Sequence, residues 1–150
     1  MAIAGLQIGQ NEQRKLFDNL DMVKINIPQI CYNSIVSYLF NAKMNAQNKI
    51  KADKHIVTSR LRNSIYVLSH SKDLKDKDNY EDDLGNVFRG VLDNVHIEQQ
   101  EAAFGTNVEY AEKIERLDSF IYWGFKTADD KEFSKQYNRE VNELKSKLKK

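Results

Sequence analysis

Three histidines, one cysteine and several clusters of acids are the residues of this chain whose types could do chemistry. His55, His70 and His96 are the only imidazoles, and none has a second His or a Cys at the short spacing of a zinc ligand pair. Cys31 falls among apolar residues at helical spacing, so it reads as a small core side chain rather than a nucleophile. Between Asp73 and Asp83 acids alternate with lysines, the pattern of a solvated face and not of a two-metal nuclease. Gly105-Thr106-Asn107 before a helix could offer N–H groups to an anion, but one glycine without a basic neighbour reads first as a turn and a cap. No Walker loop, nucleophile elbow or dinucleotide-binding glycine pattern is present. The sequence therefore implies no enzyme, cofactor or metal. Arg60 and Arg62 on a turn suit phosphate or, more commonly, carboxylates of a neighbouring subunit. Tyr122 and Trp123 suit core packing first, then a partner's pocket or a stacked base.

The elements that must position these residues follow from periodicity. Residues 1–10, with Gly5 and Gly9, read as a flexible arm, and Asn11 with Arg14 three residues on as an imperfect cap. Leu16, Leu20 and Val23, with Phe17 beside them, predict a first helix that ends before Ile27, because the residue preceding a proline avoids the α region. Pro28 then opens a second helix to residue 51, with Ile27, Cys31, Ile35, Tyr38, Ala42 and Ala46 along its inner face and Ile30 and Leu39 widening it. Thr58 to Asn63 predicts a short turn, Thr58 capping it and Leu61 entering the core. Strands are expected at 64–70, 86–93 and 95–104 as an antiparallel meander, with a fourth at 120–125. Residues 71–85 form a charged loop or hairpin tip. In Phe104–Glu115, Gly105 supplies a tight turn, Thr106 or Asn107 caps a helix, and Val108, Ala111 and Ile114 face the core. Thr127 caps a last amphipathic helix with Phe133, Tyr137, Val141, Leu144 and Leu148 on one side, free to project onto a neighbour. The expected fold is α+β, a single domain with an antiparallel sheet of three or four strands packed on a long helix, and an amphipathic C-terminal helix.

Two of these segments resemble a known pair of signatures. Phe104-Gly105-Thr106-Asn107-Val108-Glu109-Tyr110-Ala111, with Glu115 four residues on, is similar to the strand-to-helix motif of the tailed-phage head–tail joining family. Thr58-Ser59-Arg60-Leu61-Arg62-Asn63-Ser64-Ile65 resembles that family's other motif, in which a turn opens the first strand. Thr58, Leu61 and Ser64 match the first, and Gly105, Tyr110, Ala111 and Glu115 the second. Ser59 stands where the family usually has Gly, Glu112 replaces a frequent Pro, and Arg116-Leu117 follows where a Gly is common. The resemblance implies a structural virion protein of the phage neck, a connector or tail-completion protein that acts without catalysis. Such proteins form rings of identical subunits, on the order of six or twelve copies. Their partners are portal-side connector proteins and tail terminator or tail-tube proteins, with DNA only passing through the channel. They are assembled in the host cytoplasm.

Bulk properties agree with that reading and narrow the alternatives. The 150 residues are 41% apolar and 30% charged, enough for one real core and too apolar for a disordered chain. With 23 basic and 22 acidic residues the net charge is +1, so there is no bulk attraction to nucleic acid or to an anionic membrane. No apolar run reaches the length of a membrane span, and the N-terminus lacks a secretory pattern. A lone cysteine suits a reducing compartment. The alternative is a small cytoplasmic nucleic-acid-binding regulator built on the paired arginines and the aromatic 120–125 segment.

Overall fold

The computed structural model describes residues 9–53, 59–69, 79–89 and 97–148, with 79 and 80 described by their backbone alone. His55, His70, His96 and Thr58 lie outside these residues, as do 1–8 of the N-terminal arm, most of the charged loop, and the 90–96 portions of two expected strands.

One helix, α1 (Gln10–Ala52), is the spine. Its N-terminus is closed by Gly9, whose N–H donates to the Glu12 carboxylate at 3.1 Å, so the Asn11 cap is corrected by two residues. The expected break at Pro28 is also corrected, because α1 runs straight through it. Proline removes one i→i−4 hydrogen bond, but here both Pro28 and Lys24, whose carbonyl is released, are exposed and that group can be hydrated. One turn earlier the Asn26 amide donates to the Met22 carbonyl at 2.7 Å. Continuity also shifts the buried face: Ile30, Tyr32, Ser34, Val36, Leu39, Ala42, Ala46 and Ile50 are inside, Cys31 is half-buried and Ile35 is exposed.

A single turn, α2 (Arg60–Asn63), leads into β1 (Ile65–Ser69). β1 pairs antiparallel with β4 (Ala102–Thr106), Ile65 opposite Thr106 and Ser69 opposite Ala102. A separate hairpin, β2 (Asn79–Glu81) and β3 (Val87–Arg89), has Tyr80 opposite Phe88. The fold is α+β as expected. Among the described residues, however, the strands form two two-stranded sheets and not one sheet of three or four. After β4 come α3 (Ala111–Asp118), α4 (Phe120–Lys126) and α5 (Asp130–Lys147).

The expected fourth strand at 120–125 is helical, and the reason is steric. Gly124 lies so close to α1 that a Cβ there would stand 2.6 Å from the Ala42 carbonyl oxygen and 2.7 Å from the Ala46 Cβ. Two alanines one turn apart and a glycine let the backbones of α1 and α4 touch, which an extended aromatic segment would not do. Phe120 is buried at the end of this contact, in a core with Ala46, Ile50, Leu61, Ile65, Val108 and Ala111. Burying each large member contributes about 1.5–3 kcal/mol.

α5 runs back along α1. The Asp129 N–H donates to Asn41 Oδ1 at 2.9 Å at its start, and Asn33 donates to Glu140 at 2.9 Å midway. At its end Leu144 and Lys147 line a groove with Asn26 and Ile30. Asp129, rather than Thr127, caps α5 by accepting from the Lys131 N–H, while the Thr127 hydroxyl donates to the Trp123 carbonyl. The terminal helix is therefore packed on its own chain. Among the described residues, the part that extends past it is the other end of α1.

Candidate functional site

The two motif segments meet in space. The Ser64 hydroxyl is 2.6 Å from the Thr106 hydroxyl, and the Asn107 N–H donates to the Ser64 carbonyl at 3.1 Å, extending the β1–β4 pairing by one step. Ser64 also reaches back to the Leu61 carbonyl at 2.8 Å and so closes α2. Ser64 is buried, and so are Leu61, Val108 and Ala111.

Among the described residues, the other motif positions each have a definable duty. Gly105 lies within β4 and has no left-handed backbone, so the expected tight turn there is corrected. Its role is room: a Cβ would stand 2.9 Å from the Tyr66 hydroxyl oxygen. Burial pushes the Tyr66 phenol above its ordinary value, so it stays neutral. The Thr106 and Asn107 caps are corrected too, since α3 starts at Ala111 and its preceding residue is Tyr110, with no side-chain cap. Glu115 accepts from the N–H groups of Ile121 at 2.8 Å and Tyr122 at 3.0 Å. A motif carboxylate thereby caps α4, satisfying donors that no helical carbonyl can reach.

Ser59 has φ 54, the left-handed region that favours glycine. Its hydroxyl accepts from the Asp83 N–H at 2.8 Å. Around it, α2 forms a socket for the β2–β3 hairpin. Asn63 donates to the Glu81 carbonyl at 2.7 Å, and Arg62 pairs with Asp83 at 2.8 Å. The Arg60 guanidinium lies 4.3 Å from the Phe88 ring centre and 5.4 Å from that of Tyr110, and 3.7 Å from the Glu109 carboxylate. Both arginines thus meet carboxylates of their own chain. The hairpin tip is rigidified by Asp82, which accepts from the Asn86 side chain at 3.0 Å and from the Leu84 and Asn86 N–H groups at 2.9 Å. The Asn86 amide above all, then the two backbone donors, hold its carboxyl below the usual range against desolvation. Asp82 is covered by its own turn rather than by the core.

Tyr122 and Trp123 lie on the outer side of α4, 61% and 48% exposed. Lys126 stands over the Tyr122 ring at 5.8 Å and Lys49 over Trp123 at 5.3 Å. They are surface aromatics, not the core packing expected first. The stripe of Leu16, Phe17 and Leu20 that the sequence placed on a helix is there at the start of α1, but it is 48%, 63% and 54% exposed, which the sequence reading did not foresee. Among the described residues no group of three His, Cys, Asp or Glu could hold a metal ion, and no helix is long and apolar enough to cross a membrane. Comparison with protein-family models, with curated proteins and with solved structures gives no match.

Proposed function

We propose that this chain is a structural subunit of a phage neck, a ring-forming head–tail connector or tail-completion protein that joins the capsid connector to the tail tube and catalyses nothing. The observation that carries this reading is the pairing of the two motif segments as neighbouring strands, joined through Ser64 and Thr106. Motifs of an enzyme converge on a substrate. Here Leu61, Ala111, Ser64, Gly105 and Glu115 are instead occupied in packing, strand pairing, close approach and helix capping. Exposed apolar residues on α1 and α4 are what an assembling subunit offers. The charged 71–85 segment is anchored at its C-terminal end, where Arg62, Asn63 and Ser59 of the motif turn hold Glu81 and Asp83. In this reading the finished protein is part of the virion, its neighbours are portal-side and tail-side rings, and DNA passes through without being read.

The test is the mass and symmetry of the purified chain, alone and mixed with a portal-side connector, by light scattering and negative-stain microscopy. Closed rings are expected. A monomer under every such condition would overturn the proposal.

The second reading, a nucleic-acid-binding regulator, is favoured by one observation, the lysines over Tyr122 and Trp123. The paired arginines no longer contribute to it, being engaged with Asp83 and Glu109. A gel shift that weakens steeply with salt would support it, and none at low salt would end it.

A further inference from the structure

A cleft of about 510 Å³ opens between the last turns of α1 and the C-terminal end of α4, within the size range of small-molecule sites. Asn45, Asn48 and Lys49 line it from one side of α1, three and four residues apart, and Trp123 and Thr127, one turn apart, line it from α4. Its frame is fixed by the chain's own bonds. Asn45 Nδ2 donates to the Thr127 carbonyl at 2.9 Å, and the Thr127 hydroxyl donates to the Trp123 carbonyl at 2.7 Å. Lys49 is tied to Asp53 at 2.7 Å and stands 5.3 Å from the centre of the Trp123 ring.

Hydrogen-bonding capacity is left over along this frame. Among the described residues, the Asn48 side-chain amide and Asn45 Oδ1 have no partner, and Asp53 uses only Oδ2. Beside them the Trp123 ring is about half exposed. Charge narrows the ligand class. Lys49 and Asp53 cancel, so the cleft offers no unneutralised cation to a phosphate or carboxylate. A hydroxyl donates and accepts at once, so neighbouring hydroxyls can satisfy an amide and a carboxylate together. A pyranose with equatorial hydroxyls also turns a face of C–H groups to an aromatic ring.

We propose that this cleft binds a neutral pyranose sugar, its C–H face on Trp123 and its hydroxyls on Asn48, Asn45 and Asp53. The site is independent of the assembly reading, and neither stands or falls with the other. Trp123 is the only tryptophan of the chain, so intrinsic fluorescence reports on this cleft alone. The probes are the methyl β-glycosides of glucose, galactose and mannose, with glycerol and adenosine monophosphate as controls. The expected result is a saturable fluorescence change with at least one glycoside, half complete at about 1 mM, and none with either control. Asn48→Ala, at an exposed helical position whose amide has no described partner, should raise that midpoint about tenfold with thermal unfolding unchanged. No saturation by any glycoside would overturn the proposal, and so would equal saturation by glycerol. Saturation by adenosine monophosphate alone would make the cleft a nucleotide site and overturn it too. A glycoside midpoint unmoved by Asn48→Ala would remove the assigned contacts and overturn it. As a second measurement, saturation transfer from protein to the C–H protons of the bound glycoside should disappear in Trp123→Leu. Transfer that persists in that variant would place the sugar elsewhere and overturn the site.

Discussion

Ser64 and Thr106, 42 residues apart in sequence, share a hydrogen bond of 2.6 Å where the chain leaves one motif and enters the other. The bond is partly buried, and Ser64 itself is buried, so neither hydroxyl can trade it freely for water. Ser64→Ala should destabilise by about 1–2 kcal/mol, and Thr106→Val by less. A double-mutant cycle by urea unfolding should return a coupling of about 0.5–1 kcal/mol, and additive effects would show that the two hydroxyls act independently.

Gly105 and Gly124 should differ in tolerance to alanine. At Gly105 the obstacle is the far end of the Tyr66 side chain, which can move, and the cost should be about 1 kcal/mol. At Gly124 it is the backbone of α1, and the cost should reach about 3 kcal/mol. Replacing Tyr66 by a smaller residue should relieve the first variant and leave the second unchanged, as judged by thermal unfolding.

Pro28→Ala should stabilise the protein by about 1–3 kcal/mol, because it restores a hydrogen bond inside a continuous helix. Were Pro28 the first residue of a separate helix, the change would be neutral or unfavourable. Denaturant midpoints separate the two outcomes.

Glu115→Ala should cost about 1–2 kcal/mol, with the loss concentrated in α4. Amide exchange of Ile121 and Tyr122 should accelerate first. Unchanged protection there would remove the capping role.

The Asp82 turn should be sensitive to acid. Its carboxyl sits below the ordinary range when folded, so its contribution is full above the unfolded-state value and is lost as pH falls through the folded one. The amide signals of Leu84 and Asn86 should therefore hold steady from neutral pH down to about 4 and shift below it. Asp82→Asn should abolish that titration.

The sequence by itself determined the local pieces. The β-branched and aromatic residues of 64–70 mark a strand, and β1 is there over Ile65–Ser69 with Ile65 and Val67 inward. Leu61, Val108 and Ala111 reach the core as their spacing requires. The C-terminal amphipathic helix forms from Asp130, since its stripe matches a face of α1. Tertiary structure decided what local propensity left balanced. An aromatic run at 120–125 satisfies a strand or a helix equally well, and only the fit of Gly124 between Ala42 and Ala46 selects the helix. Pro28 forbids one hydrogen bond but not a helix, and packing of the rest of α1 outweighs that loss. The partners of Arg60 and Arg62 were equally out of reach of sequence reading. A guanidinium meets whichever carboxylate or ring the fold brings to it, and here the hairpin and the β4–α3 junction arrive from distant parts of the chain.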